Sequence, residues 1–109
     1  MSVENCVSSL LGDGVCVLPT ETVYGLACSA LSVSAIEKVY RIKGRPATNP
    51  LIVHVLNHAK ANDICFTNEF SEKLANAFWP GPLTFILPKR DCIPRQITAG
   101  LPSVAVRSP

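Results

Sequence analysis

No run of 18 consecutive apolar residues occurs in the chain, which excludes a membrane-spanning helix. The opening stretch Met1–Gly14 carries Glu4, Asn5 and Asp13 without a basic segment, so it does not read as a signal peptide. A cytoplasmic protein with no membrane partner is the expectation. Charged residues make up 17% of the sequence against 48% apolar, which excludes a disordered polyelectrolyte. Neither G-x-x-x-x-G-K followed by Ser or Thr nor G-x-G-x-x-G is present, so any nucleotide site is not a P-loop or a dinucleotide fingerprint. G-x-S-x-G and H-E-x-x-H are missing as well. Glu21 is the one acid within a candidate site, so paired-carboxylate catalysis is not expected. The five cysteines are odd in number and no pair has C-x-x-C spacing. With only His54 and His58 to help them, no metal site is expected, and free thiols in a reducing compartment are.

What is present fits one domain, since 109 residues leave room for no more. No repeat, low-complexity tract or linker interrupts it. Val3–Leu11 has Val3, Val7, Leu10 and Leu11 at helical spacing, with Gly12 and Gly14 to stop it. Val15–Leu18 is a continuous apolar run that reads as a buried strand, ended by Pro19. Thr20–Leu26 reads as a mixed polar-apolar turn region. Ser34 and Glu37 have capping-box spacing ahead of a helix burying Ile36, Val39 and Tyr40, which Gly44 ends. Leu51–Leu56 reads as a strand. Asn68 caps a helix through Phe78 that buries Phe70, Leu74, Ala77 and Phe78. Leu83–Leu87 and Ser103–Arg107 complete the strands. This order predicts an α/β fold, a sheet with helices packed on it. The apolar strand Ser103–Arg107 needs neighbours and a covering layer, and nothing downstream supplies them, so the chain is expected to be incomplete at its C-terminus.

Net charge is only +2, but five cations (Lys38, Arg41, Lys43, Arg45 and Lys60) and no acid lie between Lys38 and Asn62. Such a local field suits phosphate or nucleic acid; a solvated helix face is the plainer reading. Within it, Lys43-Gly-Arg-Pro-Ala-Thr-Asn-Pro-Leu51 sets two cations about a glycine, with Pro46 and Pro50 stiffening the turn beyond them. That pattern fits a polyphosphate grip, although cations also favour helix C-termini through the dipole. Pro19-Thr-Glu-Thr-Val-Tyr-Gly25 comes directly after a buried strand, where open α/β sheets bind ligands, so its hydroxyls could line a small polar pocket or merely cap a turn. His54 lies in an apolar strand, either as a hydrogen-bonded core residue or as a catalytic group. Arg107 ends the last strand at a site-like position. Trp79 reads as a packing anchor.

Four segments together resemble one family: Leu18-Pro-Thr-Glu-Thr-Val-Tyr-Gly-Leu26, Lys43-Gly-Arg-Pro-Ala-Thr-Asn-Pro-Leu-Ile-Val-His54, Phe78-Trp-Pro-Gly-Pro-Leu-Thr-Phe85 and Val104-Ala-Val-Arg-Ser-Pro109. Their order and spacing are similar to the YrdC/Sua5 family, the threonylcarbamoyl-AMP synthases. The resemblance implies a YrdC/RibB-like twisted mixed sheet with a deep positive cleft, residues 1–109 forming part of that domain. It implies a nucleotidyltransferase that joins L-threonine, bicarbonate or CO2 and ATP, accompanied by Mg2+, into threonylcarbamoyl-adenylate and pyrophosphate. The product feeds the t6A37 modification of tRNA through a downstream transferase machinery. Lys43 and Arg45 would act catalytically on the ATP phosphates, with Asn49 beside them in the nucleotide site. Thr20, Tyr24, His54 and Arg107 would bind threonine. Family members continue beyond the V-A-V-R strand to an S-x-N motif that completes the nucleotide site. The alternatives are a tRNA- or double-stranded-RNA-binding module and an inactive truncated fragment.

Overall fold

The structure, a computed structural model, describes residues 3–19, 24–44 and 50–109. Helix α1 (Val3–Leu11) leads into strands β1 (Val15–Pro19) and β2 (Tyr24–Cys28), then helix α2 (Val33–Lys43) and strand β3 (Ile52–His54). The short helix α3 (His58–Ala61), helix α4 (Glu69–Phe78), strand β4 (Phe85–Pro88), the short helix α5 (Arg95–Thr98) and strand β5 (Ser103–Arg107) complete the order. The α/β class holds, but among the described residues the strands form two sheets. β1 and β2 pair antiparallel, Val15 opposite Cys28 and Pro19 opposite Tyr24. The second sheet has the order β3-β5-β4, with β3 parallel and β4 antiparallel to β5.

Several local expectations change. Part of the Thr20–Leu26 turn region is strand β2, because its backbone closes a ladder on the whole of β1. α2 is capped by Ser32, not Ser34: the extended backbone of Ser32 lets its Oγ accept from the Ala35 N–H at 3.2 Å. Ile36, Val39 and Tyr40 are buried as expected. Gly44 ends the helix in the left-handed conformation (φ 62°) that its missing Cβ makes cheap. α4 starts at Asn68 through a reciprocal capping box, Asn68 Oδ1 accepting from Ser71 N at 2.8 Å and Ser71 Oγ from Asn68 N at 3.0 Å. That start sets the helix phase: Ser71 and Ala75 turn inward, with Trp79 half-buried at the next four-residue step, while Phe70, Ala77 and Phe78 face outward and Leu74 is half-buried. In α1 Cys6 is buried, whereas Val7 and Leu11 are exposed.

β5 is not left without neighbours, because both come from earlier in the chain. Ala105 lies between Ile52 of β3 and Ile86 of β4, and Val106 between Val53 and Phe85. Strand alternation sends Val53, Phe85, Leu87, Val104 and Val106 to one face, where they join Ile36, Tyr40, Ala61, Ala75, Ile93 and Ile97 in the core. The opposite face carries Ile52 and Ile86, both exposed, on either side of Ala105. The Tyr40 hydroxyl donates to the Gln96 carbonyl at 3.1 Å, and the Leu51 N–H donates to Ile97 O at 2.8 Å, so α5 anchors both α2 and the entrance to β3.

Candidate active site

The parallel register sets His54 beside Arg107 at the carboxyl ends of β3 and β5, where open α/β sheets bind ligands. Val55 N donates to Arg107 O at 2.9 Å and fixes that pairing. His54 is exposed rather than a core histidine, since alternation places it on the same side as Ile52. Thr84, the residue before β4, completes a row across the three strands: its Oγ1 accepts from Arg107 Nε at 2.8 Å. Sequence reasoning did not single out Thr84. The available signal was a hydroxyl one residue ahead of a buried aromatic, hence on the opposite face.

The backbone beneath Thr84 is held from several sides. Trp79 Nε1 donates to Leu83 O at 2.8 Å, and the Trp79 and Phe85 rings meet at 4.9 Å between centroids. Trp79 is therefore the packing anchor that the sequence suggested. Gly81 N donates to Ser108 O at 2.8 Å. A Cβ on Gly81 would come within 2.6 Å of the Phe78 carbonyl oxygen, so only glycine allows this close approach. Ser108 Oγ in turn donates to Leu56 O at 2.9 Å, tying the end of β5 to the segment after β3.

Lys43 is the final residue of α2 and is exposed, with Arg41 in the same last turn, a placement that also suits the helix dipole. Lys38 of the same helix donates to the Asp13 carbonyl at 3.1 Å. Thr20, Arg45 and Asn49 lie outside the described residues, and for Tyr24 only the backbone, paired with Pro19, is described. Of the sequence-predicted residues, the structure thus brings His54 and Arg107 together. Among the described residues no group of three His, Cys, Asp or Glu side chains could hold a metal ion, and no helix is long and apolar enough to cross a membrane. Burial pushes the thiols of Cys16, Cys28 and Cys65 up from the ordinary value, which disfavours thiolate chemistry there. A hollow of about 190 Å³ beside α4 is lined by His58, Ala75, Trp79 and Ser108 among others, and by none of the predicted site residues; behind it His58 Nε2 lies 3.0 Å from the buried Ser71 Oγ.

A row of imidazole, guanidinium and hydroxyl thus stands at the strand ends of an α/β fold, and comparison with known proteins specifies which fold. The Sua5/YciO/YrdC family model, described as "Telomere recombination", matches residues 8–109, and the chain belongs to that family. It is 50% identical over 92 residues to a threonylcarbamoyl-AMP synthase of Pyrococcus abyssi, covering 84% of this chain and 27% of that protein. It is 46% identical over 109 residues to the Bacillus subtilis threonylcarbamoyl-AMP synthase, covering 98% and 32%. The crystal structure of P. abyssi Sua5 complexed with L-threonine superposes with a TM-score of 0.93 at 43% identity, over 96% of this chain and 31% of that one. The chain thus spans about a third of the length of these relatives.

Proposed function

We propose that residues 1–109 are part of a YrdC-like domain and carry the threonine-binding and phosphate-gripping portion of a threonylcarbamoyl-AMP synthase. The observation that carries this reading is the pairing of His54 with Arg107 at the strand ends, in a chain so similar to a protein crystallised with L-threonine. Thr20, Tyr24, His54 and Arg107 take the amino acid. Lys43, Arg45 and Asn49 take the nucleotide. The neutral amine of threonine adds to CO2, forming an N–C bond and releasing one proton to solvent, and the resulting N-carboxylate attacks the α-phosphorus of ATP; a new O–P bond forms as the bond to pyrophosphate breaks. The nucleophile is already anionic, so no strong base is required, in keeping with the scarcity of acids near the site. The step instead requires in-line placement and neutralisation of the phosphate charge. When bound, Mg2+ carried on the triphosphate supplies further neutralisation.

The test is ATP–pyrophosphate exchange driven by L-threonine and bicarbonate, run on this chain and on one extended to the length of its relatives. Exchange in the extended protein supports the reading, and its absence there overturns it. Exchange in the extended protein alone would assign the 109-residue chain the inactive-fragment alternative. In an active protein Lys43→Ala should slow exchange by about 10²–10³-fold, the usual effect of losing one preorganised charge-stabilising group. A second reading, an RNA-binding module, is favoured by the exposed cations Lys38, Arg41 and Lys43 on α2. It predicts RNA affinity that falls steeply with salt and no exchange.

A further inference from the structure

We propose that Thr84 is a positioning residue: it holds the Arg107 guanidinium so that its Nη edge meets the carboxylate of the bound amino acid. This rests on the threonine-binding reading above. An arginine can receive a carboxylate through its Nε–Nη side or through its two Nη atoms. In this structure the Nε–H is committed to Thr84 Oγ1 at 2.8 Å, so an incoming carboxylate is met by the Nη atoms. The guanidinium is rigid and planar, and fixing one N–H therefore fixes the direction of the whole fork. Threonine suits this task because its branched Cβ restricts χ1 and keeps the acceptor in place.

The segment that carries Thr84 is built to stay still. Leu83 on one side is tied by its carbonyl to the Trp79 indole, and Phe85 on the other is buried against the Trp79 ring. β4 is antiparallel to β5, so Phe85 is locked opposite Val106, the residue before Arg107. Gly81 is bonded to Ser108, the residue after Arg107. The Trp79–Phe85 segment therefore grips β5 on both sides of Arg107 and presents one hydroxyl to it. In this account the tryptophan shapes the ligand site without touching the ligand.

The test uses Thr84→Val, which keeps the shape and removes the acceptor, and Thr84→Ser, which restores it. Nitrogen-15 NMR of the unliganded 109-residue chain should show an Arg107 Nε–H signal displaced from that of free arginine and slow to exchange in wild type and Thr84→Ser. It should move to the free-arginine position in Thr84→Val. A signal equal in wild type and Thr84→Val overturns the proposal. Calorimetry then compares L-threonine with L-threoninamide, which lacks the carboxylate. Thr84→Val should weaken L-threonine about tenfold, the usual scale for losing a charge-assisted hydrogen bond. L-Threoninamide should bind the variant and wild type alike. Equal weakening of both ligands would mean general disturbance and overturn the proposal. If the NMR signature appears but wild type binds neither ligand, in this chain or in an extended one, the hydroxyl's hold on Arg107 stands and the threonine reading fails.

Discussion

The two faces of the β3-β5-β4 sheet are made from the same three short strands, yet they differ in everything but the backbone. One face is Val53, Phe85, Leu87, Val104 and Val106, packed under helices. The other exposes Ile52 and Ile86 and ends in His54, Arg107 and the adjoining Thr84. The two-residue period of a strand gives the core to alternate positions and leaves polar and ionic side chains on the open face between them. The consequence is that the site residues inherit their positions from core residues one step away. Arg107 is placed by Val106, and Thr84 by Phe85.

That contrast can be broken most sharply at Phe85 and Ile86, neighbours on one strand. Phe85→Ala should destabilise the fold by about 3–5 kcal/mol, because it empties a buried aromatic site. Chemical denaturation measures this, and a loss below about 1 kcal/mol would mean that the covered face is not the core. A smaller effect is expected at the cap that sets the phase of α4. Asn68→Ala should cost about 1 kcal/mol and leave the sheet's open face untouched. The thiols give a pH dependence of modest size. Burial raises Cys65 above the ordinary thiol value, outweighing the opposing pull of Arg90. The folded state therefore favours the protonated form. Its contribution is full below the unfolded value of about 8.5 and fades as pH rises through the higher folded value. Melting temperature should fall above about pH 8.5, and less steeply in Cys65→Ala. The smallest effect belongs to Ile86→Ala, on the open face, at about 0.5 kcal/mol or less. A large loss there would erase the distinction between the faces.

Much of this was readable in the residues. α1 and β5 run over the stretches that the patterns indicated, and Gly44 ends α2 as its position suggested. α3 and α5 escaped notice because four residues are too few to show a period. β2 was hidden because Tyr24-Gly-Leu-Ala-Cys28 lacks alternation and becomes a strand by pairing with β1. Phe70 and Phe78 misled because hydrophobicity alone does not fix helix phase; the Asn68–Ser71 cap does. At the site, the residue types of His54 and Arg107 were informative, but their adjacency across 52 intervening positions depends on parallel register. Thr84 needed the same register and an antiparallel partner as well.

Among the described residues β3 and β4 share no ladder with each other, and both pair with β5, which comes after both of them in the chain. A ribosome therefore delivers both strands before Ser103–Arg107, the partner they share, and the two ladders on β5 cannot close in step with synthesis. Until then the edges that β5 will cover are open to other strands, so the yield of native protein should depend on temperature and on chaperones.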